Sequence, residues 1–216
     1  MLQTRLIVRP EDVHARLAHF RVKKDDIVRV ALSALAARND SVSDDPKTAK
    51  GQFSYIYGVR AMRQAFIPAG YERISRRNIE SVYDAAQARK IMFQTVDIAC
   101  VESQFPQPIS EIGAAKETVI ENSYPYLFEE MQKAEDQRQK ALTEYERAEA
   151  WYVCTSFANG TVSCELSRPQ GVINTEFSGF IERIFILREG EGGPSGLINL
   201  DDDTPRFEIK PVVVKR

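Results

Sequence analysis

The sequence is poor in metal ligands, because its 216 residues include only three cysteines and two histidines. Cys100, Cys154 and Cys164 show no CxxC spacing, and His14 and His19 complete no familiar zinc pattern with them. We therefore expect neither a structural metal nor a cofactor. A small, odd number of cysteines is also typical of a protein from a reducing compartment.

Long apolar runs are absent as well. No stretch approaches the roughly 20 apolar residues that a membrane-spanning helix needs. Residues 1–17 carry charges where a signal peptide requires its apolar region. We therefore expect a cytoplasmic protein without a membrane partner. A hydrophobic content of 43% is sufficient for a core, so the chain is expected to fold alone.

The sequence also lacks a catalytic signature. It contains neither of the glycine-rich phosphate loops, GxxxxGK[ST] and GxGxxG. The tripeptide Glu208-Ile209-Lys210 has the E-x-K form of a metal-dependent nuclease strand, with Asp201 to Asp203 as candidate magnesium ligands. Nucleases of that class usually carry the aspartate on a neighbouring strand, whereas these aspartates lie in the preceding loop. We expect a non-catalytic protein, and a nuclease is the minor alternative.

Charge is divided unevenly along the chain, although the net charge is only −2. Residues 1–90 carry 17 Lys and Arg against 10 Asp and Glu, and residues 91–216 carry 12 against 21. A basic half of this kind can mark contact with nucleic acid. The alternative is that the two surfaces are simply solvated or face each other.

The N-terminal elements are predicted from their apolar spacing. Residues 4–8 are rich in β-branched side chains and predict a short strand. Pro10 suits the first turn of a helix, in which Val13, Leu17 and Phe20 recur at helical spacing. A second helix is predicted over residues 25–38, followed by a loop at 39–50.

This order of strand, helix and helix resembles the ribbon-helix-helix DNA-binding domains over about the first 36 residues. TRLIV corresponds to the ribbon, PEDVHARLAHF to the first helix and DDIVRVALSAL to the second. The resemblance implies that outward side chains of a dimerised ribbon read the major groove, either Thr4, Leu6 and Val8 or Arg5 and Ile7. The connection at residues 21–24 departs from the pattern, because it lacks the glycine that such a tight turn prefers.

Arginines and aromatic residues are interleaved between Gly51 and Asn78. The arginines are Arg60, Arg63, Arg73, Arg76 and Arg77, and the aromatic residues are Phe53, Tyr55, Tyr57, Phe66 and Tyr71. Residues 58–67 have helical spacing, with one apolar face and with Arg60 and Arg63 pointing outward. A turn at residues 68–70 then leads into an extended segment that can return the later arginines to the same surface.

This arrangement suits an anionic ligand. A guanidinium group donates two parallel hydrogen bonds to phosphate and keeps its charge, and aromatic rings can stack on bases for roughly 1–3 kcal/mol each. We therefore predict that nucleic acid or another polyanion binds a patch comprising Arg60, Arg63, Arg73, Arg76, Arg77, Tyr55, Tyr57 and Tyr71. In the structural alternative the arginines are solvated or paired with local acids such as Glu72, Glu80 and Asp84, and the tyrosines belong to the core.

The middle of the chain predicts further helices. Asn78 or Ser75 can cap a helix running through Ile79, Val82 and Ala86, and residues 90–99 are predicted as a strand. Pro125 can begin a charged helix that ends near Glu149. Its narrow seam comprises Leu127, Met131, Ala134, Arg138, Ala141, Tyr145 and Ala148. This helix makes a protein-interaction or assembly subunit, including a homo-oligomer, the second functional hypothesis.

The strongest local signal is Asn159-Gly160, which predicts a two-residue hairpin turn between strands 151–158 and 161–168. The predicted register pairs Phe157 with Val162 and places Cys154 and Cys164 on opposite faces. Further strands are predicted at 180–187 and 207–214. The expected fold class is α+β: one domain over residues 1–216, with a helical N-terminal region packed with an antiparallel sheet concentrated in the C-terminal third. A division into 1–122, basic and helical, and 123–216, helix plus hairpin sheet, is the alternative.

Overall fold

A seven-stranded mixed sheet lies at the centre of the computed structural model, which describes residues 3–76, 78–110, 120 and 143–191. The strands are β1 Arg5–Ile7, β2 Glu72–Arg76, β3 Ile79–Asp84, β4 Arg89–Thr95, β5 Glu149–Ala158, β6 Thr161–Ile173 and β7 Glu176–Leu187. Their spatial order is β1-β7-β6-β5-β4-β3-β2. The β1–β7 and β4–β5 pairs are parallel and the other neighbours are antiparallel.

Three helices cover one face of the sheet: α1 Pro10–Ala18, α2 Lys24–Asn39 and α3 Ala49–Phe66. Glu11 and Asp12 lie in the first turn of α1 and Asp25 and Asp26 in that of α2, where carboxylates interact favourably with the helix dipole. The first turn of α3 contains no acidic residue.

Helix α3 packs closely against the sheet at Gly58. A Cβ atom added there would lie 2.4 Å from the ring of Phe93 on β4. Phe93 is 1% exposed and belongs to the core between helices and sheet. The missing side chain therefore fixes the position of α3 against the strands.

The opposite face of the sheet is buried as well. Its core includes Met92, Tyr152, Cys154 and Phe177, together with Ile120. A short helix, α4 Glu144–Arg147, also contacts this face through Tyr145, which packs edge-on against Tyr83. Burial on both faces explains why β4 and β5 contain few exposed residues.

The predicted hairpin register is confirmed. Phe157 pairs with Val162 and Val153 with Leu166 across the Asn159-Gly160 turn. Both turn residues have positive φ, 51° and 75°, which asparagine and glycine tolerate best. All three cysteines are free, as the alternation of faces requires for Cys154 and Cys164.

The predicted fold class was wrong in the placement and direction of the strands. An antiparallel sheet concentrated in the C-terminal third would leave residues 72–95 outside it, whereas β2, β3 and β4 form one side of the sheet. The sheet is mixed because long stretches of chain separate the partners of each parallel pair, residues 8–175 between β1 and β7 and residues 96–148 between β4 and β5, and such separations permit parallel pairing. The sheet thus takes strands from both sides of residue 122.

The predicted helix at residues 78–86 was also wrong, because residues 79–84 form β3. Val82 faces the helices while Ile79 belongs to the core of the opposite face. Since both faces are buried, the alternation that marks a strand is hidden, and Ile79 and Val82 happen to share helical spacing.

The structure also corrects the resemblance at the N-terminus and the end of the charged helix. Strand β1 pairs in parallel with β7 as part of the large sheet, so the resemblance to a ribbon-helix-helix domain extends only to the order of elements. A single helix reaching Glu149 was wrong at its end, because Thr143 caps α4 with an extended backbone and Glu149 begins β5. Residues 125–142 and the predicted strand 207–214 lie outside the described residues.

Candidate nucleic-acid interface

Helix α3 has the largest excess of positive over negative charge among the described helices and strands. It carries Lys50, Arg60 and Arg63 and no acidic residue, and the sequence from 46 to 71 contains no aspartate or glutamate. The helix lies beside β3 and the edge strand β2, which brings Arg73 into the same region. The local charge is therefore strongly positive although the chain as a whole is slightly acidic.

A groove of about 640 Å³ runs along α3 and reaches β2. We call it the arginine groove, and its described lining residues are Ile56, Val59, Arg60, Arg63, Gln64, Ile67, Pro68 and Arg73. Ile56 and Ile67 are exposed large apolar residues, and Tyr57 beside them places its ring 4.5 Å from the Arg60 guanidinium carbon. The groove thus combines cations with apolar surface.

The three arginines of the groove differ in how they are paired. Arg63 forms an ion pair with Glu80 and a 3.3 Å hydrogen bond to the Ser75 hydroxyl. The pKa of Glu80 is lowered, first by the hydrogen bond from Ser75 and then by Arg63. Arg60 and Arg73 have no carboxylate partner among the described residues. Their charges remain available to an anionic ligand.

Arg76 lies on the other face of the sheet. Side chains alternate along a strand, so Arg73 faces the helices beside Val82, whereas Arg76 pairs across the strands with Ile79 of the opposite core. Its guanidinium is 3.3 Å from the Glu146 carboxylate and donates to the Thr143 hydroxyl. The sheet edge therefore divides the predicted patch, and Arg77 lies outside the described residues.

The predicted tyrosines also occupy different environments. Tyr57 is exposed beside Arg60, but Tyr71 is buried edge-on against Phe66, and burial raises its pKa. Tyr55 is half-buried against the core, and its pKa is raised chiefly by desolvation. Of the three tyrosines, only Tyr57 presents a ring beside the arginine groove.

Sequence reasoning missed a second groove at the other end of α3. It measures about 750 Å³, and we call it the lysine groove. Its described lining residues are Arg38, Lys47, Thr48, Lys50, Gly51, Gln52, Tyr55, Asn78, Gln94, Thr95, Ile109 and Ser110. The signal that could have revealed it is the acid-free run beginning at residue 46, which includes Lys47 and Lys50 as well as the arginines.

The described residues contain no group of three or more histidine, cysteine or acidic side chains that could hold a metal ion. The nuclease fragment at residues 201–210 lies outside them, so that alternative stays a prediction. Among the same residues, no helix combines the length and the apolar character needed to cross a lipid bilayer.

Of the charged helix predicted from Pro125 to Glu149, only the end from residue 143 onward lies within the described residues. Tyr145, a member of the predicted seam, packs on Tyr83 and hydrogen bonds to Ser81 within the same chain. Ala148 is fully buried. These two seam positions are therefore used internally, and an assembly role for residues 125–142 stays a prediction.

No protein-family model, curated protein sequence or solved structure matches this chain.

Proposed function

We propose that this protein binds single-stranded nucleic acid in the arginine groove, as a non-catalytic binding protein. The proposal is supported most directly by which arginines of the groove form an ion pair with a carboxylate and which do not. Arg60 and Arg73 line one groove without a carboxylate partner among the described residues, whereas Arg63 between them is neutralised by Glu80.

The character of the groove favours a single strand over a duplex. Ile56, Tyr57 and Ile67 expose apolar surface beside the guanidinium groups of Arg60 and Arg73, which no carboxylate of the described residues pairs. The outside of a duplex presents mainly phosphate and sugar, which would leave these side chains without a partner. An unpaired strand supplies both phosphates for the arginines and flat base faces for the apolar residues. A purely anionic polymer would use only the arginines.

The cytoplasm is the compartment we propose for this activity. All three cysteines are free, and Cys154 and Cys164 are fully buried in the core, where oxidation would require the fold to open. A reducing compartment suits such a set.

Salt dependence of binding tests the proposal. Removing one cation that neutralises a phosphate of a single strand lowers the slope of log K against log salt concentration by about 0.7. The double variant Arg60→Ala/Arg73→Ala should therefore reduce the slope by about 1.4. The measurement is fluorescence anisotropy of a labelled mixed-sequence oligonucleotide, 12 nucleotides long, across a series of potassium chloride concentrations.

Arg76→Ala is the matched control, because Arg76 carries the same charge on the same strand but faces Glu146 on the other side of the sheet. Its slope should equal that of the unmodified protein. The proposal would be wrong if no oligonucleotide bound at low salt. It would also be wrong if Arg76→Ala reduced the slope as much as the double variant, since any surface cation would then serve equally well.

A further inference from the structure

We propose that the lysine groove is a separate site for a nucleoside monophosphate, either a free mononucleotide or the phosphorylated end of a strand. The inference does not depend on the arginine groove, because the two grooves have no described lining residue in common. They lie at opposite ends of α3.

The charge of the lysine groove selects an anion. Arg38, Lys47 and Lys50 line it, its described lining contains no acidic residue, and none of the three cations has a carboxylate partner among the described residues. Arg38 is held in place by packing, since its guanidinium carbon lies 5.1 Å from the centre of the Phe157 ring. Three cations around one concave surface, none with a carboxylate partner in the described part of the chain, would repel each other less with a phosphate between them.

The backbone adds hydrogen-bond donors on the same side. Lys50 and Gly51 lie in the first turn of α3, where amide groups have no partner within the helix. Unlike α1 and α2, this turn has no carboxylate to interact with the dipole, and Thr48 provides no side-chain cap. An oxyanion with several acceptor oxygens matches donors arranged in this way. The side chains of the groove form the site, and the backbone amides add hydrogen-bond donors to it.

The rest of the groove suits the nucleoside. Its volume of about 750 Å³ far exceeds what a phosphate ion requires. Tyr55 and Ile109 provide apolar surface, and the side-chain amide of Asn78 can hydrogen bond to the edge of a base. A ligand with a polar planar body uses these groups, whereas inorganic phosphate does not.

Calorimetric titration of the full chain tests this site with the four ribonucleoside monophosphates, adenosine and inorganic phosphate. We expect at least one monophosphate to bind ten times more tightly than either inorganic phosphate or adenosine. Lys47→Gln and Lys50→Gln should each raise its Kd about tenfold, the effect of losing one charged hydrogen bond. Lys24→Gln is the charge-matched control, because Lys24 is exposed and does not line the groove.

Gly51→Asp separates binding from folding. A Cβ atom at Gly51 meets nothing within 4 Å, and an acidic side chain in the first helical turn stabilises a helix. The variant should therefore melt at the same or a higher temperature while its monophosphate affinity falls at least tenfold. Unchanged affinity in Gly51→Asp and in both lysine variants would overturn the site, as would a monophosphate that binds no better than inorganic phosphate.

A trinucleotide with a 5′-phosphate and the same trinucleotide without it distinguish the two sources of the ligand. If a 5′-phosphate on a trinucleotide raises its affinity and Gly51→Asp removes the gain, the ligand is the end of a strand. If free monophosphates bind and the 5′-phosphate adds nothing, the ligand is a mononucleotide. Arg60→Ala/Arg73→Ala should leave monophosphate binding unchanged, so failure of the lysine groove and failure of the arginine groove give different results.

Discussion

The buried amine of Lys90 should make the stability of the protein rise with pH. Lys90 is fully buried on the face of the sheet that contacts α4, and its Nζ donates to the backbone carbonyls of Tyr145 at 3.1 Å and Glu146 at 2.9 Å. It has no carboxylate within ion-pair distance among the described residues. Desolvation lowers the pKa of Lys90 to about 7, although the charge of Glu146 acts in the opposite direction.

The magnitude follows from the difference between the folded and unfolded states. An unfolded lysine keeps its proton to about pH 10.4, so between about pH 7 and 10.4 the unfolded chain binds more protons than the folded protein. Stability therefore increases through this window, with a limiting slope of about 1.4 kcal/mol per pH unit. Between pH 7.5 and 9 the gain from Lys90 should be about 2 kcal/mol.

Lys90→Met isolates this contribution, because methionine keeps much of the side-chain volume and cannot titrate. Urea unfolding of both proteins at pH 7.5, 8, 8.5 and 9 gives the difference in their free energies of unfolding. Buried groups such as Tyr152 and Cys100 also have raised pKa values and oppose the trend, but they are present in both proteins and cancel in the difference.

We expect the difference, unmodified protein minus Lys90→Met, to increase by about 2 kcal/mol from pH 7.5 to 9. A difference that stays constant within about 0.5 kcal/mol would refute the reasoning, because Lys90 would then titrate alike in both states. Equal slopes of free energy against urea concentration in the two proteins are needed, since they show that the substitution leaves the unfolded surface unchanged.

Two predictions concern the frame that holds the grooves. Arg183→Met should lower the free energy of unfolding in urea by about 3–5 kcal/mol, because it leaves the fully buried carboxylate of Glu165 without its cation. Adding Glu165→Leu should recover part of this loss. If the second substitution recovers no stability, this account is wrong. Gly58→Ala should cost about 1–3 kcal/mol in thermal unfolding through its clash with Phe93, whereas Gly51→Ala, with nothing within 4 Å, should be neutral or stabilising. Equal effects at the two glycines would show that helix propensity alone decides both.

Local signals in the sequence were sufficient where one short interaction decides the structure. The Asn159-Gly160 turn fixes the register of β5 and β6 because few other residues adopt two successive positive φ angles. Pro10 likewise lies in the first turn of α1. Both signals act within a few residues, so the rest of the fold does not change their meaning.

The sheet could not be predicted in the same way, because its strands are buried on both faces. Residues 79–84 include Ile79, Val82 and Tyr83, which satisfy helical spacing and strand propensity equally well. Only the partners, β2 and β4, decide between the two structures. The parallel pairing of β4 with β5 depends on residues separated by more than 50 positions, which no local pattern records.

The arginine patch shows the same limit at the level of the site. Spacing along α3 correctly placed Arg60 and Arg63 outward together, but it could not show that Glu80 neutralises Arg63. Nor could it separate Arg73 from Arg76, because that division follows from their position on a strand whose two faces meet different layers. Which cations remain free is decided by tertiary contacts.

The distribution of acids among the helices points to α3 as the element that the two grooves share. A helix gains stability from carboxylates in its first turn, and α1 and α2 each have two there. Helix α3 forgoes this stabilisation and also contains no acid further along its 18 residues. Its position is instead secured by the contact of Gly58 with Phe93 and by a buried face that includes Met62 and Phe66. An anion bound in the lysine groove, at the N-terminus of α3, would replace the missing negative charge, so its binding should stabilise the protein more than the contacts to individual cations alone would do.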